Sequence, residues 1–166
     1  MYPTAALSLK PAHGTAAISS STPFERAFAL RPELFESWRA FVMPFWEKRL
    51  LEPTLLELCR ARVGQMLGAS VPDACDAMRS ARLALDPRKA DALGSWWTSD
   101  AFSDVERACL RFAEQFVLDP QQISDDEARA VVAELGDAGT VALVELLAIL
   151  DGFSRFARFV DAEVAP

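Results

Sequence analysis

The chain has 166 residues, a mass of 18.2 kDa and a formal charge of −7, from 24 acidic and 17 basic residues. A chain of this length fits one domain with its own core, and the acidic balance argues against a surface that holds a phosphate backbone. No apolar run reaches the roughly 18 to 20 residues that cross a bilayer, and the N-terminus lacks a secretory pattern. We therefore expect a cytoplasmic protein without a nucleic-acid or membrane partner.

Residues 1–23 predict an irregular N-terminal arm, because they combine small residues, Ser, Thr and three prolines without helical periodicity. The only histidine, His13, lies in this arm, and we interpret it as a surface residue because no second ligand accompanies it. Residues 24–166 are predicted to form the single helical domain. From Pro32 the apolar spacing is helical, and we expect that helix to end at Pro44.

The next helix is predicted to begin at Pro53 and to end at Gly68 in a left-handed conformation. Ser70 is then expected to cap a second helix. Ala61, Gly64 and Gly68 lower the helix propensity of the first helix. Small residues at this spacing indicate that another helix or a ligand approaches the backbone closely.

Capping patterns predict the later helices, with starts at Asp86 followed by Pro87, at Ser103 with Glu106 and at Ser124 with Glu127. The helix that starts at Ser124 should stop at Gly136, and a last apolar helix over about residues 139–161 is expected to be central. No alternating strand pattern and no repeat occurs. The sequence therefore predicts an all-α, single-domain bundle of about six to seven helices.

Three cysteines cannot all pair within one chain, and none has the spacing of a Cys-x-x-Cys or zinc motif. We expect them to be reduced, and we expect no metal and no cofactor. Cys59 and Cys109 lie on apolar helical stripes, which is typical of buried structural cysteines. The role of Cys75 is left open.

Four segments resemble the alkylhydroperoxidase D-like and carboxymuconolactone decarboxylase superfamily, over most of residues 32–159: RPELFESW, LLEPTLLELCRARV, WWTSDAFSDVERACLRFAEQF and VELLAILDGFSRFARF. In the redox members a Glu is followed twelve residues later by Cys-x-x-Cys and then by a His. This chain keeps the Glu as Glu57, but Ala69 and Pro72 stand at the two cysteine positions and Asp76 at the histidine position. The resemblance implies the alkylhydroperoxidase D-like fold and a homo-oligomer, as a trimer, dimer or hexamer.

Ala69 and Pro72 contain no sulfur, so thiol peroxidase chemistry at this corner would require Cys75 to substitute from another position. The decarboxylase branch of the superfamily needs no cysteine, so the resemblance allows a non-redox enzyme. Glu57 and Asp76 are the candidate catalytic pair, because two carboxylates in an apolar pocket can have their pKa values pushed apart. We expect acid-base catalysis on a small, largely apolar organic substrate.

Two other functions remain open: a non-catalytic member that binds a ligand or serves as a scaffold, and a family-type alkylhydroperoxidase. Glu57 and Arg60 can form an ion pair at i and i+3, and acidic residues in a first helical turn are stabilised by the helix dipole. A closed apolar cavity with Glu57 and Asp76 pointing inward would favour catalysis, whereas a filled corner would favour the scaffold.

Seven further residues are expected to line or support the pocket: Arg60, Ala69, Pro72, Asp73, Cys75, Trp96 and Trp97. The tryptophans offer large apolar surfaces with one donor each, which suits a pocket, a subunit interface or the core. The richness in Phe, Trp and Leu also predicts a homo-oligomer, because a small bundle leaves part of this apolar surface uncovered.

Overall fold

The computed structural model describes residues 22–161, which form seven α-helices and two 3₁₀ helices, with no strand in this range. The elements in chain order are α1 (Pro23–Phe28), α2 (Pro32–Glu47), α3 (Pro53–Leu67), α4 (Asp76–Leu83), α5 (Pro87–Ala92), a 3₁₀ helix (Leu93–Thr98), α6 (Asp104–Leu118), a 3₁₀ helix (Pro120–Gln122) and α7 (Asp125–Asp161). The all-α prediction is confirmed for this part of the chain. None of its helices combines the length and the apolar character that crossing a bilayer requires.

The first helix, α1, begins at Pro23, the last residue of the predicted arm, so the expectation of irregular structure is wrong at that residue. Thr22 and Glu25 form a capping box, in which each side chain accepts a hydrogen bond from the other's backbone N–H, at 3.2 and 2.8 Å. The helix buries Phe24 and Phe28 against Trp38 and the end of α7. The prediction for residues 1–21 lies outside the described residues.

The predicted end of α2 at Pro44 is also wrong, because the helix continues to Glu47. A proline inside a helix costs about 3 kcal/mol or more, since it removes one hydrogen bond and clashes with the preceding turn. Beyond it, Phe45 and Trp46 are 4% and 2% exposed. Burying two large apolar side chains contributes about 1.5 to 3 kcal/mol each, which offsets the cost of the proline.

The core lies between α3, α6 and α7. Along α3, six consecutive residues (55–60) are buried, so this helix is enclosed on nearly every side. One face of α7 fills the centre of the bundle with Leu143, Leu146, Leu147 and Leu150. A smaller cluster around Leu58 and Trp96 joins α3, α6 and the 3₁₀ helix that begins at Leu93. These contacts support α3 from two sides and fix the position of the corner that follows it.

The long helix α7 is interrupted at Gly136, which has φ +68° and ψ 176°. The predicted stop at this glycine therefore coincides with a break in the helical backbone. After the break, the Thr140 hydroxyl donates to the Gly136 carbonyl at 2.8 Å, and the helix continues to Asp161. The break divides α7 into an outer segment and the central segment that carries the buried leucines.

We expect Gly136→Ala to lower the free energy of unfolding by about 1 to 3 kcal/mol, because this combination of φ and ψ is essentially restricted to glycine. Gly94→Ala is the matched control, since Gly94 has no positive φ and a Cβ there meets nothing within 4 Å. Urea unfolding followed by circular dichroism measures both. Equal stability of the two variants would contradict a strained break at Gly136.

Candidate functional site

The corner between α3 and α4 is a loop rather than a second capped helix. Gly68 ends α3 in a left-handed conformation at φ +70°, as predicted. The predicted cap at Ser70 is wrong, because α4 begins only at Asp76, with Cys75 in an extended conformation at its N-cap. Pro72 contributes to the delay, because a proline disfavours helical φ and ψ at the residue before it, here Val71.

This corner loop, residues 69–75, folds back onto α3. A Cβ at Gly64 would lie 3.2 Å from the Ser70 Cβ and would clash with the Ser70 hydroxyl. The close approach predicted at this small residue is present, but a loop side chain makes it, not another helix or a ligand. Ala61 remains uncovered on the same helix and lines the cleft described below.

Arg60 is the centre of a charged cluster that consists of Glu57, Arg60, Asp73 and Arg82 and runs from the core to the surface. Its guanidinium donates from Nε to Glu57 Oε2 and from Nη2 to Glu57 Oε1, both at 2.8 Å. Nη1 donates to the Val71 carbonyl at 2.5 Å, and Nη2 lies 3.1 Å from Asp73 Oδ1. A two-pronged arginine–carboxylate contact of this kind is the strong form of an ion pair. Arg60 therefore joins α3 to the corner loop at two points.

Asp73 connects this buried pair to the surface. Its Oδ2 accepts from Arg82 Nη2 at 2.9 Å and from Arg82 Nε at 3.2 Å, while its Oδ1 faces Arg60. The exposed fraction of the side chain rises outward along the cluster, from 2% for Glu57 through 13% for Asp73 to 47% for Arg82. Two carboxylates and two guanidinium groups make the cluster neutral.

Burial raises the pKa of the Glu57 carboxyl above its ordinary value, because desolvation penalises the charged form. The hydrogen bonds and the charge of Arg60 lower the pKa, but by less, and the negative charge of Asp73 raises it further. Asp73 is therefore the second carboxylate beside Glu57, the role that the sequence predicted for Asp76. A Glu with a raised pKa can exchange a proton closer to neutral pH than an exposed one.

Two more arginines fix the backbone of the corner. Arg39 of α2 donates from Nε to the Ala74 carbonyl at 3.2 Å, and Arg158 of α7 donates from Nη1 to the Leu67 carbonyl at 3.0 Å. Because the loop has no regular ladder of backbone hydrogen bonds, side chains supply partners for its carbonyls. With Arg60, three helices thus hold the corner in one conformation.

The charged cluster forms part of the wall of an open cleft of about 790 Å³. The cleft is mixed in character, because small apolar side chains face the charged ones. It is lined by Thr22, Glu57, Arg60, Ala61, Gln65, Ser70, Val71, Pro72, Asp73, Arg82, Leu85, Pro87, Ala90 and Asp91. The corner is thus neither a closed apolar cavity nor a filled one.

Asp76 does not join Glu57, so the structure does not bring the predicted catalytic pair together. Its side chain is 94% exposed, and it pairs with Arg79 at 3.2 Å on the outer face of α4. Together with Cys75 it lines a different pocket, between α1, α2 and α4. The prediction assumed a helix through this segment, whereas the loop carries Asp76 away from α3.

Some of the other residues predicted for the pocket line the cleft, and others lie elsewhere. Pro72 lines the cleft, whereas Ala69 packs against the main core. Trp96 is buried in the smaller cluster, where its Nε1 donates to Glu114 Oε1 at 2.7 Å, and Trp97 is 54% exposed. Neither tryptophan lines the cleft.

The cysteines lie apart from the cleft. Cys59 and Cys109 are fully buried, and burial raises the pKa of both thiols well above the ordinary value, that of Cys109 to about 12. Both are therefore unreactive as nucleophiles, as expected for structural cysteines. Cys75 is half-buried at the N-cap of α4 and also lies outside the cleft. In residues 22–161 no group of three or more His, Cys, Asp or Glu side chains is arranged to hold a metal ion.

Arg82 is the member of the charged cluster that the sequence did not predict. It follows Asp73 by nine residues across a loop and a helix start, and no helical spacing relates two such positions. The sequence gives only a weak indication of this pair: an arginine near the end of the helix that follows Asp73. Gln65, Ser70 and Asp91 were also not assigned to the cleft, because only the fold of the loop brings them there.

No family model matches the chain. The chain is similar to the uncharacterized protein YnjA of Escherichia coli (strain K12), with 33% identity over 116 residues. The matched region covers 70% of this chain and 62% of the length of YnjA. This similarity assigns no activity to the cleft.

We expect Arg60→Met to lower the free energy of unfolding by about 3 to 5 kcal/mol, because it leaves Glu57 and Asp73 without their shared buried partner. The matched control is Arg129→Met, which removes an exposed guanidinium paired with Asp126 and should change stability by less than about 1 kcal/mol. Urea unfolding at neutral pH measures both. Similar losses in the two variants would show that Arg60 has no special structural role.

The raised pKa of Glu57 predicts the pH dependence of its contribution to stability. The folded state favours protonated Glu57, so this contribution is complete below the pKa in the unfolded chain and is lost as the pH rises through the folded pKa. The difference in unfolding free energy, wild type minus Glu57→Gln, should therefore fall as the pH rises from about 4 toward 7.

Glu127 is the control of opposite sign, because hydrogen bonds from Ser124 lower the pKa of its carboxyl. Its contribution is present above the unfolded pKa and is lost as the pH falls through the folded pKa. Wild type minus Glu127→Gln should therefore fall as the pH is lowered. Urea unfolding at several pH values between about 3 and 7 measures both differences, and equal slopes would rule out a raised pKa at Glu57.

Proposed function

We propose that the protein is a non-redox enzyme of the alkylhydroperoxidase D-like fold, in which Glu57 transfers a proton to or from a small, largely apolar organic substrate in the cleft. The observation that carries the proposal is a 2% exposed carboxylate with a raised pKa in the wall of an accessible cleft. Buried carboxylates with perturbed pKa values in clefts are typical of catalytic acids and bases. The resemblance of the surrounding segments to the superfamily adds to this argument.

The neighbouring residues suit proton transfer. Glu57 accepts a proton as a carboxylate and returns it as an acid, and desolvation reduces the free-energy difference between these two states near neutral pH. Arg60 holds both carboxylate oxygens in place. Arg82, held by Asp73 and half exposed, presents positive charge at the cleft, where it stabilises negative charge that develops on a substrate.

The apolar part of the cleft supports the substrate class. Ala61, Leu85, Pro87 and Ala90 contribute apolar surface to the cleft beside its polar groups. A volume of about 790 Å³ is within the range of small-molecule sites. A substrate with an apolar body and one ionisable or polarised group matches a cleft that has both apolar and charged lining residues.

The corner offers no support for a thiol peroxidase. Ala69 and Pro72 carry no sulfur, and Cys75 lies in the pocket on the other side of α4. Its nearest candidates as resolving cysteines, Cys59 and Cys109, are fully buried. A disulfide cycle requires two accessible thiols, so a family-type peroxidase is the weakest of the three functions.

A non-catalytic ligand-binding or scaffold role is the second candidate, and one observation favours it. The guanidinium of Arg60 bonds to both oxygens of Glu57, which is the arrangement of a structural ion pair. In that case the cleft would bind a ligand without changing it. We further propose that the protein is cytoplasmic. We also propose that it is a homo-oligomer, since several large apolar side chains are exposed.

The test begins with a thermal-shift screen of small organic molecules that combine an apolar body with a carboxyl, carbonyl or hydroxyl group. Binders are then assayed for turnover by mass spectrometry. We expect Glu57→Gln to reduce kcat/KM by about 100-fold or more while leaving the fold intact, because it removes the titrating group and keeps the shape. Asp91→Asn is the matched control, since Asp91 lines the same cleft without belonging to the charged cluster.

Asp76→Asn should also leave kcat/KM nearly unchanged, because Asp76 lies outside the cleft. Full activity of Glu57→Gln would overturn the proposed role of Glu57. Ligands that bind and stabilise the protein but never turn over would support the second candidate instead.

A further inference from the structure

A large apolar surface lies away from the cleft. Ten large apolar side chains are exposed in the described part of the chain, and six of them line two neighbouring grooves. These six define the apolar strip: Leu30, Leu34, Phe41, Leu50, Val141 and Phe159, which are 41% to 62% exposed. Scattered apolar residues are normal on a surface, but a contiguous set usually marks an interaction site.

The two grooves form one continuous seam between α2 and α7. The first, of about 790 Å³, lies between residues 27–41 and residues 149–160. The second, of about 490 Å³, lies between residues 40–50 and residues 138–145. The lining ranges show that α2 and α7 run antiparallel along the seam. Phe41 lines both grooves and therefore stands at their junction.

The strip carries no net charge. Arg31 is the charged residue of the first groove and Glu145 that of the second. The whole chain has a net charge of −7, so two copies repel each other over most of their surfaces. A neutral, aromatic-rich face is the part of this molecule where a second copy can approach without that repulsion, and it has the composition of an interface core.

The exposed apolar area accounts for part of a dimer interface. Six side chains that are about half exposed, with at most about 200 Å² each when fully exposed, supply at most about 600 Å² of apolar surface per copy. A stable interface buries about 800 Å² per partner. The partly buried side chains of the grooves and the polar rim supply the rest.

We propose that a second copy of this chain covers the apolar strip in a two-fold symmetric dimer. In such an interface each copy uses the same surface. A two-fold axis near Phe41 places the first groove of one copy opposite the second groove of its partner, so that the exposed side chains of each copy pack into the grooves of the other. Phe41 then packs near Phe41 of the partner subunit.

Phe41 provides the experiment, carried out with the full chain at micromolar concentrations. Phe41→Glu and Phe41→Lys should each raise the dimer dissociation constant by about 30-fold or more, the usual effect of losing a central apolar contact. If Phe41 lies near the axis, an equal mixture of the two variants should recover a heterodimer, because opposite charges then face each other. Analytical ultracentrifugation measures the dissociation constants of the two variants and of their equal mixture.

Trp97→Glu is the matched control, because Trp97 has the same exposed fraction as Phe41, 54%, and lies outside the strip. It should leave the dissociation constant unchanged. Circular dichroism confirms that each variant is folded. Leu34→Glu is a second strip variant if either Phe41 variant fails to fold.

Three results would overturn the proposal. One is a wild-type protein that is monomeric at tens of micromolar. Another is a dimer that persists in both Phe41→Glu and Phe41→Lys. The third is a full-length monomer that dimerises once residues 2–21 are removed, which would show that the chain's own N-terminal segment occupies the strip. Loss of dimerisation without recovery in the mixture would place the interface on the strip but overturn the axis at Phe41.

Discussion

The guanidinium group of Arg60 holds the corner between α3 and α4 in place, and both the loop and the acid beside it depend on this group. An arginine that is 5% exposed is tolerated only when its charge and its donors are satisfied. Glu57, Asp73 and the Val71 carbonyl meet that requirement together. Two of these acceptors belong to the loop, so the loop must fold back onto α3 for Arg60 to be buried at all.

This arrangement explains why the central helix α3 carries charge on a buried face. A helix with residues 55–60 all buried would be expected to be apolar throughout, yet it places Glu57 and Arg60 in the interior. Their mutual pairing offsets part of the cost of burying the two charges, but desolvation outweighs it and raises the pKa of Glu57. The same burial therefore encloses the ion pair at the corner and raises the pKa of its acidic member.

The sequence predicted those features of the fold that depend on local chemistry. Gly68 and Gly136 were correctly placed as helix breaks, because both adopt a positive φ that favours glycine. The capping box at Ser103 marks the start of α6 for the same local reason. Pro44 was misleading, since burial of the aromatic residues that follow it outweighs its local cost.

The candidate site could be predicted only in part. Glu57 and Arg60 lie one turn apart on a helix, so their pairing follows from helical spacing. Asp73 and Arg82 come together through an irregular loop, for which no periodic rule gives distances. The resemblance to the superfamily, together with a helix start expected at Ser70, predicted Asp76 as the partner of Glu57. The loop instead brings Asp73 to Arg60.

The cleft and the apolar strip lie on different parts of the bundle, but one short element reaches both. Thr22, the cap of α1, lines the cleft, whereas Ala27 and Phe28 at the other end of α1 line the first groove. A six-residue helix is too short to be stable alone, so its position depends on what packs against it. A second copy bound to the strip would hold α1 from outside and thereby fix Thr22 at the cleft. In such a dimer, assembly and the shape of the cleft would be linked through α1.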